Sequence, residues 1–325
     1  MPKILILRFS SIGDIVLTTP VIRCIKQQVP GAEVHFCTKQ GFKGMLESNP
    51  YVDKVHVLQS SLKELVQGLQ AENFDYVVDL HNNLRTRIIK FRLGKPSRSF
   101  NKLNYEKWLM VNFKRNRLPN MHIVERYLEA ATALGVKDDG LGLDYFIPAK
   151  DEVALEALPE PFRRGYVAFA IGAQHYTKRL PTERIIELCE HLNTPVVLLG
   201  GKEDNAAGEQ IAALFHTQEQ AGSTIVYNAC GKYNLNQSAS LVRQAEQIVS
   251  HDTGLMHIAA AFSKDIISVW GNTIPEFGMY PFRTKFQVLE VQGLSCRPCS
   301  KIGYSKCPQG HFKCMRAISF DDLAV

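Results

Sequence analysis

No stretch of this 325-residue chain approaches the roughly 18 to 20 consecutive apolar residues needed to cross a bilayer, so no helical membrane span is expected. Met1-Pro2-Lys3 leads into a short strand rather than the apolar core of a signal peptide, and a soluble protein of the cytoplasm is the expectation. The sequence has no G-x-G-x-x-G and no G-x-x-x-x-G-K-[ST], which sets aside the dinucleotide fingerprint and the P-loop. It also has no D-x-D, so there is no obvious carboxylate pair to hold Mg²⁺ at a diphosphate. Acids are scarce in one region above all. Between Leu84 and Arg117 there are eleven basic residues and a single acid, Glu106, a local charge of +10 in a chain whose total is +6. Without compensating acids, such a field points to a polyanion: nucleic acid, an acidic membrane surface, or a phosphorylated glycan or lipid.

What is present reads as an α/β protein. The length favours two domains, and 45% hydrophobic content is ample for two cores. Continuous apolar runs suited to buried parallel strands occur at Lys3 to Arg8, Glu33 to Thr38, Lys54 to Leu58 and Asp75 to Leu80, with helical stretches between them. Ile15 to Gln28 has helical spacing throughout, and Met121 to Leu134 reads as a helix closed by Gly135. The proline- and charge-rich segment Ile147 to Gly165 is the candidate linker, after which Tyr166 to Ile171 restarts the strand–helix alternation. Pro195 to Leu199, Thr224 to Val226, Gln247 to Val249 and Ile266 to Trp270 continue it. The expected domains are 1–155 and 156–325, both doubly wound, with carboxyl-end loops facing a cleft where a ligand would bind.

The stretch from Ser250 to Ala261 (SHDTGLMHIAAA) is the chemical centre of the second half. A strand that turns straight into a helix leaves N–H groups unpaired at a positive dipole end, a place for a phosphate. Asp252, Thr253, Gly254 and, one turn on, His257 would line it, although Asp252 or Thr253 could serve only as a helix cap. Lys178 lies at another helix entrance, with Pro181 suited to the first position of a helix reaching His191. Glu203 or Asp204, after the strand Pro195 to Leu199, could accept hydrogen bonds from a ribose or base.

In the first half, the turn FSSIGD brings Asp14 beyond the first strand, as a base or as a carboxylate interacting with the helix dipole. His81-Asn82-Asn83 ends another strand, directly before the basic window and its interleaved aromatics Phe100, Tyr105, Trp108 and Phe113. Near the carboxyl terminus, Cys296, Cys299, Cys307 and Cys314, with His311 nearby, could hold a structural zinc or an iron–sulfur cluster, or stay free thiols or a labile disulfide.

Three motifs in this order, F-S-S-I-G-D-I-V-L-T-T-P, D-L-H-N-N-L-R-T-R and S-H-D-T-G-L-M-H-I-A-A-A, resemble glycosyltransferase family 9, the ADP-heptose:lipopolysaccharide heptosyltransferases. The resemblance implies a two-domain GT-B fold and an inverting transfer from ADP-heptose to a lipopolysaccharide inner core at the inner face of the inner membrane. No cofactor is implied for catalysis, and nucleic acid is not an expected partner. Carried over residue by residue, it makes Asp14 the general base, and places the donor on Lys178, Glu203, Asp204, Asp252, Thr253, Gly254 and His257. The acceptor falls to Ser11, Gly13, His81, Asn83, Arg85 and Arg87. Two alternatives stand beside this reading: a transferase of the same fold using another nucleotide sugar for a different surface glycan, and a non-catalytic polyanion-binding protein.

Overall fold

The computed structural model describes residues 1–216, 224–321 and 323. The chain divides into two compact units. One comprises residues 1–103 and 121–148, the other residues 104–120 and 149–325.

The first unit is built on strands β1 (Lys3–Leu7), β2 (Glu33–Lys39), β3 (Lys54–Leu58), β4 (Tyr76–Asp79) and β5 (Ser97–Ser99). All pair in parallel, in the order β3-β2-β1-β4-β5. The helices are α1 (Ile12–Val16), α2 (Thr19–Gln28), α3 (Leu62–Ala71), α4 (Leu84–Leu93) and, in the returning segment, α6 (Ile123–Glu129); between α4 and α6 in the chain, α5 (Asn104–Phe113) groups with the second unit. Leu5, Leu7, Phe74 and Val77 pack with Leu65, Leu69 of α3 and Ile89 of α4 in one buried cluster, as expected of a central strand covered by helices. The helical periodicity from Ile15 to Gln28 resolves into two helices rather than one. Thr18 and Thr19 donate their hydroxyls to the carbonyls of Ile15 and Val16, and Pro20, which has no N–H to offer, is the second residue of the second helix. The helix expected over Met121 to Leu134 is likewise shorter, α6 followed by a 3₁₀ turn at Thr132–Leu134 and Gly135 at φ 76°.

The second unit has strands β6 (Val167–Ala170), β7 (Val196–Leu199), β8 (Val226–Asn228), β9 (Gln247–His251), β10 (Asp265–Trp270) and β11 (Phe286–Glu290). They form a parallel sheet in the order β11-β10-β9-β6-β7-β8. Its helices include α7 (Thr182–Leu192), α8 (Asn205–His216), α9 (Leu235–Gln244), α10 (Gly254–Ala261) and the short α11 (Lys313–Arg316). Pro181 precedes α7 as its cap residue rather than as its first helical residue. The core joins Phe169, Leu198 and Val249 to Leu188 of α7 and to Cys314 and Met315 of α11.

Both sheets reverse winding direction beside their first strand, between β1 and β4 in one unit and between β6 and β9 in the other. Helices on either side of such a point start on opposite faces, and the loops beyond the strand ends part to leave a crevice. Most of the expected site residues follow these four strands, whereas Glu203 and Asp204 follow β7.

Candidate active site

In the first unit, β1 ends at Leu7 and the chain turns into α1, which carries Asp14 in its first turn. Arg8, only 7% exposed, lies 2.6 Å from one Asp14 carboxylate oxygen. The other oxygen accepts from the Ser11 N–H at 3.0 Å and the Ser11 hydroxyl at 2.8 Å. Arg8 is held in turn by the Leu80 carbonyl at 2.6 Å and the Tyr127 hydroxyl at 2.9 Å. Burial pushes the Asp14 carboxyl up, but the Arg8 charge and the Ser11 hydrogen bonds outweigh it and hold the group below its ordinary value. A carboxylate has about four lone-pair positions, and these donors fill three. Room remains for one more hydroxyl. Gly13 is buried beneath the turn, and Ser11 is exposed.

After β4, the buried Asp79 organises the next loop: it accepts from the N–H groups of His81 and Asn82 and pairs with Lys90 at 3.0 Å. The His81 ring meets Phe9 edge-on, and burial lowers its pKa to about 4, so it is neutral near pH 7. Its Nδ1 has no hydrogen-bond partner among the described residues. Asn83 caps α4 by accepting from the Thr86 N–H at 3.0 Å. Arg85 and Arg87 are exposed, and Arg85 lines an open groove of about 520 Å³ with Lys39, Gln40, Gln59 and Ser60, at the carboxyl ends of β2 and β3. Lys39 was not singled out from the sequence; being the last residue of an apolar strand was its only signal.

In the second unit, the loop after β6 carries Lys178 and the loop after β9 carries Asp252, Thr253 and Gly254, one on each side of the switch point. Lys178 Nζ donates to the Asp252 carboxylate at 2.5 Å and to its carbonyl at 3.2 Å. The Thr273 hydroxyl donates to the same carboxylate at 2.9 Å. Thr253 occupies the cap position of α10, yet its side chain makes no capping hydrogen bond; its hydroxyl lies 3.3 Å from that of Ser250. His257, 2% exposed, sits one turn into α10.

Two side chains that sequence reasoning passed over hold this loop. His251, fully buried, accepts the Leu180 N–H on Nε2 at 3.0 Å, and burial lowers its pKa to about 3, fixing it as a neutral imidazole. Arg179 bonds the Ala173 carbonyl and pairs with Asp204 at 3.0 Å. The sequence left Glu203 and Asp204 undivided; here Asp204 is buried, accepting the Gly201 N–H and the Arg179 charge, whereas Glu203 is exposed. Asn272, 1% exposed, has no partner for either side-chain polar atom among the described residues. It follows Gly271 in the loop after β10.

The basic window is shared between the units. Within the second, Lys114 of the segment after α5 bonds the Pro298 carbonyl, Lys107 lies over the Phe277 ring, and the exposed Trp108 stacks on Tyr105 and meets Phe113 edge-on. Cys296, Cys299, Cys307 and Cys314, for which a structural zinc, an iron–sulfur cluster, free thiols or a disulfide were the alternatives, are free thiols, and no three of their sulfurs lie within 4.8 Å of one another. Cys296 Sγ lies 3.8 Å from His311 Nε2, but Cys314 is buried in the apolar core, which pushes its thiol up to about 12. Among the described residues, the group that does converge is His35, His56 and Glu72, with ligand atoms within 4.8 Å. His35 and His56 are hydrogen-bonded directly at 2.9 Å, and Lys3 and Lys54 neutralise Glu72. His35 is the third residue of β2 and His56 the third of β3, so neither belongs to the turn that carries Asp14.

A sequence model of glycosyltransferase family 9 (heptosyltransferase) matches residues 62–308, well over half of the chain. The chain belongs to glycosyltransferase family 9. It is therefore a glycosyltransferase, and the reading as a non-catalytic polyanion-binding protein falls away. This family 9 chain is 28% identical to lipooligosaccharide heptosyltransferase 2 of Haemophilus ducreyi over 85% of each chain. It is similar in structure to E. coli ADP-heptose lps heptosyltransferase II, with a TM-score of 0.71, 23% identity, and coverage of 97% of this chain and 98% of that one. It also resembles E. coli heptosyltransferase WaaC with ADP-2-deoxy-2-fluoro heptose, with a TM-score of 0.65, 22% identity, and coverage of 90% and 94%. The two doubly wound units are those of the GT-B fold.

Proposed function

We propose that this family 9 glycosyltransferase moves a heptose from ADP-heptose to a lipopolysaccharide inner-core acceptor, with inversion at the anomeric carbon and without a metal in the reaction. What carries the reading is the pairing of Lys178 with Asp252 beside the uncapped start of α10, at the switch point of the second sheet. A diphosphate at that helix start would draw Lys178 from Asp252, and the cation and the helix dipole would stabilise the charge of the leaving ADP. The missing D-x-D agrees with that assignment of the charge to protein groups. Thr253, Gly254 and His257 complete the donor set, with the exposed Glu203 offered to the nucleoside. The family relationship favours ADP-heptose over other nucleotide sugars.

The acceptor is assigned to Ser11, Gly13, His81, Asn83, Arg85 and Arg87. Its hydroxyl oxygen attacks the anomeric carbon, and the bond from that carbon to the diphosphate oxygen breaks with its electron pair leaving on ADP. The hydroxyl proton passes to Asp14. A carboxylate held ionised by Arg8 is a weak base, which suits a late proton transfer, since the hydroxyl acidifies as its oxygen bonds to carbon. An acceptor of this kind is lipid-linked and anionic, which gives the basic window a use and implies work at the inner face of the inner membrane. Among the described residues no helix is long and apolar enough to cross a membrane.

The test is turnover of Asp14→Asn with a panel of nucleotide sugars and a purified inner-core acceptor, followed by mass spectrometry of the product. The wild type should add one heptose from ADP-heptose, and the variant should fall by about 10² or more while binding ADP normally. Near-normal turnover of the variant would remove Asp14 from the mechanism; a product formed only from another nucleotide sugar would replace the donor.

A further inference from the structure

We propose that the outer face of α4 is a docking surface for an anionic phospholipid bilayer. The inner face of this ten-residue helix is spoken for: Thr86 and Ile89 are fully buried, Leu93 packs on the core, and Lys90 reaches Asp79 at 3.0 Å. The outer face is apolar where a water-facing helix should be polar. Leu84 is 74% exposed, Ile88 38% and Phe91 83%. At positions i, i+4 and i+7 these three share one stripe, about 60° of arc wide at 100° per residue. Arg87 flanks the stripe on one side, and Arg85 and Arg92 on the other.

The charge pattern selects the occupant. Arg85, Arg87 and Arg92 make no ion pair among the described residues, and α4 itself contains no acid. A helix that offers aliphatic and aromatic side chains between arginines matches the boundary of an acidic bilayer, where acyl chains take the stripe and lipid phosphates take the guanidinium groups. Phosphates of nucleic acid would satisfy the arginines but leave Phe91 and Leu84 in water. The placement suits the chemistry too, because the cap of α4, Asn83, lies in the loop that flanks the first unit's switch point, and Arg85 lines the groove at the carboxyl ends of β2 and β3. A bilayer on this face would hold the rim near the level of lipid headgroups. The inference deepens the proposed use of a lipid-linked acceptor, but its test requires no substrate.

The full chain is co-sedimented with vesicles of phosphatidylcholine alone and of phosphatidylcholine mixed with phosphatidylglycerol. The wild type should bind the mixed vesicles and lose most of that binding with added salt. Leu84→Ser combined with Phe91→Ser should weaken binding roughly tenfold or more, and Arg92→Gln should weaken it and flatten the salt dependence. Both variants should transfer sugar to a delipidated, water-soluble acceptor at the wild-type rate, which separates failure of docking from failure of the reaction. Vesicle binding unchanged in the double variant would overturn the proposal. So would a change of that variant's oligomeric state in sedimentation velocity, which would show that a second copy covers the stripe.

Discussion

Burial alone would raise the Asp14 carboxyl, but Arg8 at 2.6 Å and the Ser11 hydrogen bonds hold it below its ordinary value. The carboxylate's stability in the folded chain is therefore present above its unfolded value and lost only as pH falls through the lower folded one. The acid limb of kcat/KM should accordingly lie below the ordinary Asp range. Replacing Arg8 by Gln removes the opposing charge, leaves burial in command, and should move that limb upward in a pH–rate profile; a limb that stays in place would sever Arg8 from the base. On the donor side, Lys178→Ala should weaken ADP by roughly tenfold or more but adenosine little in calorimetric titrations, because the lysine is offered to phosphate oxygens. Equal losses for both ligands would argue instead for collapse of the loop. Asp14 and Lys178 were legible because each follows a recognisable strand. Arg8 was not: it ends an apolar run and looks like part of it. His251 was equally hidden, as its role is a hydrogen bond to Leu180, 71 positions away.

Interior strands of each sheet could be read from sequence because burial on both faces demands unbroken apolar runs, as in Lys3–Leu7 and Val196–Leu199. Of the edge strands, β3 at Lys54–Leu58 was legible, but β5 and β11 were not. Ser97–Ser99 has no apolar residue, and Phe286 is 37% exposed at the margin of the second sheet, so neither β5 nor β11 carries that signal. Caps were half-legible: Asn83 stood out as a polar residue near the rim, but its hydrogen bond with Thr86 ties it to α4. Asn83→Ala should therefore cost about 1 kcal/mol in denaturant unfolding, whereas Asn83→Asp, which can still cap, should recover most of it. If the alanine variant unfolds like the wild type, α4 is fixed by packing alone. A selective rise in acceptor KM in the aspartate variant would be the mark of contact with an anionic substrate.

Across the chain, burial lowers several histidines among the described residues: His56 and His81 are pushed down to about 4 and His251 to about 3, against an ordinary 6.5, and His175 moves in the same direction. Each takes up a proton on unfolding once the pH drops below 6.5, while the folded chain resists it. The unfolded state then binds more protons, so stability is complete above that value and declines as pH falls toward 4. Melting temperature should fall between about pH 6.5 and pH 5, above the range where carboxylates titrate; a flat profile there would mean these rings are hydrated. Two alternating strand–helix halves could be read from the sequence, since period and length repeat on either side of Gly165. The path of the chain between them could not, because the residues of segment 104–120 say nothing of which partner they will meet. That path crosses from one unit to the other at 103/104, 120/121 and 148/149. During synthesis, the first unit cannot close until the ribosome has released residue 148, and α5 emerges long before the surface that receives it. Cutting the gene at 148/149 therefore leaves the second product without residues 104–120, and the first carrying them away from the unit they group with.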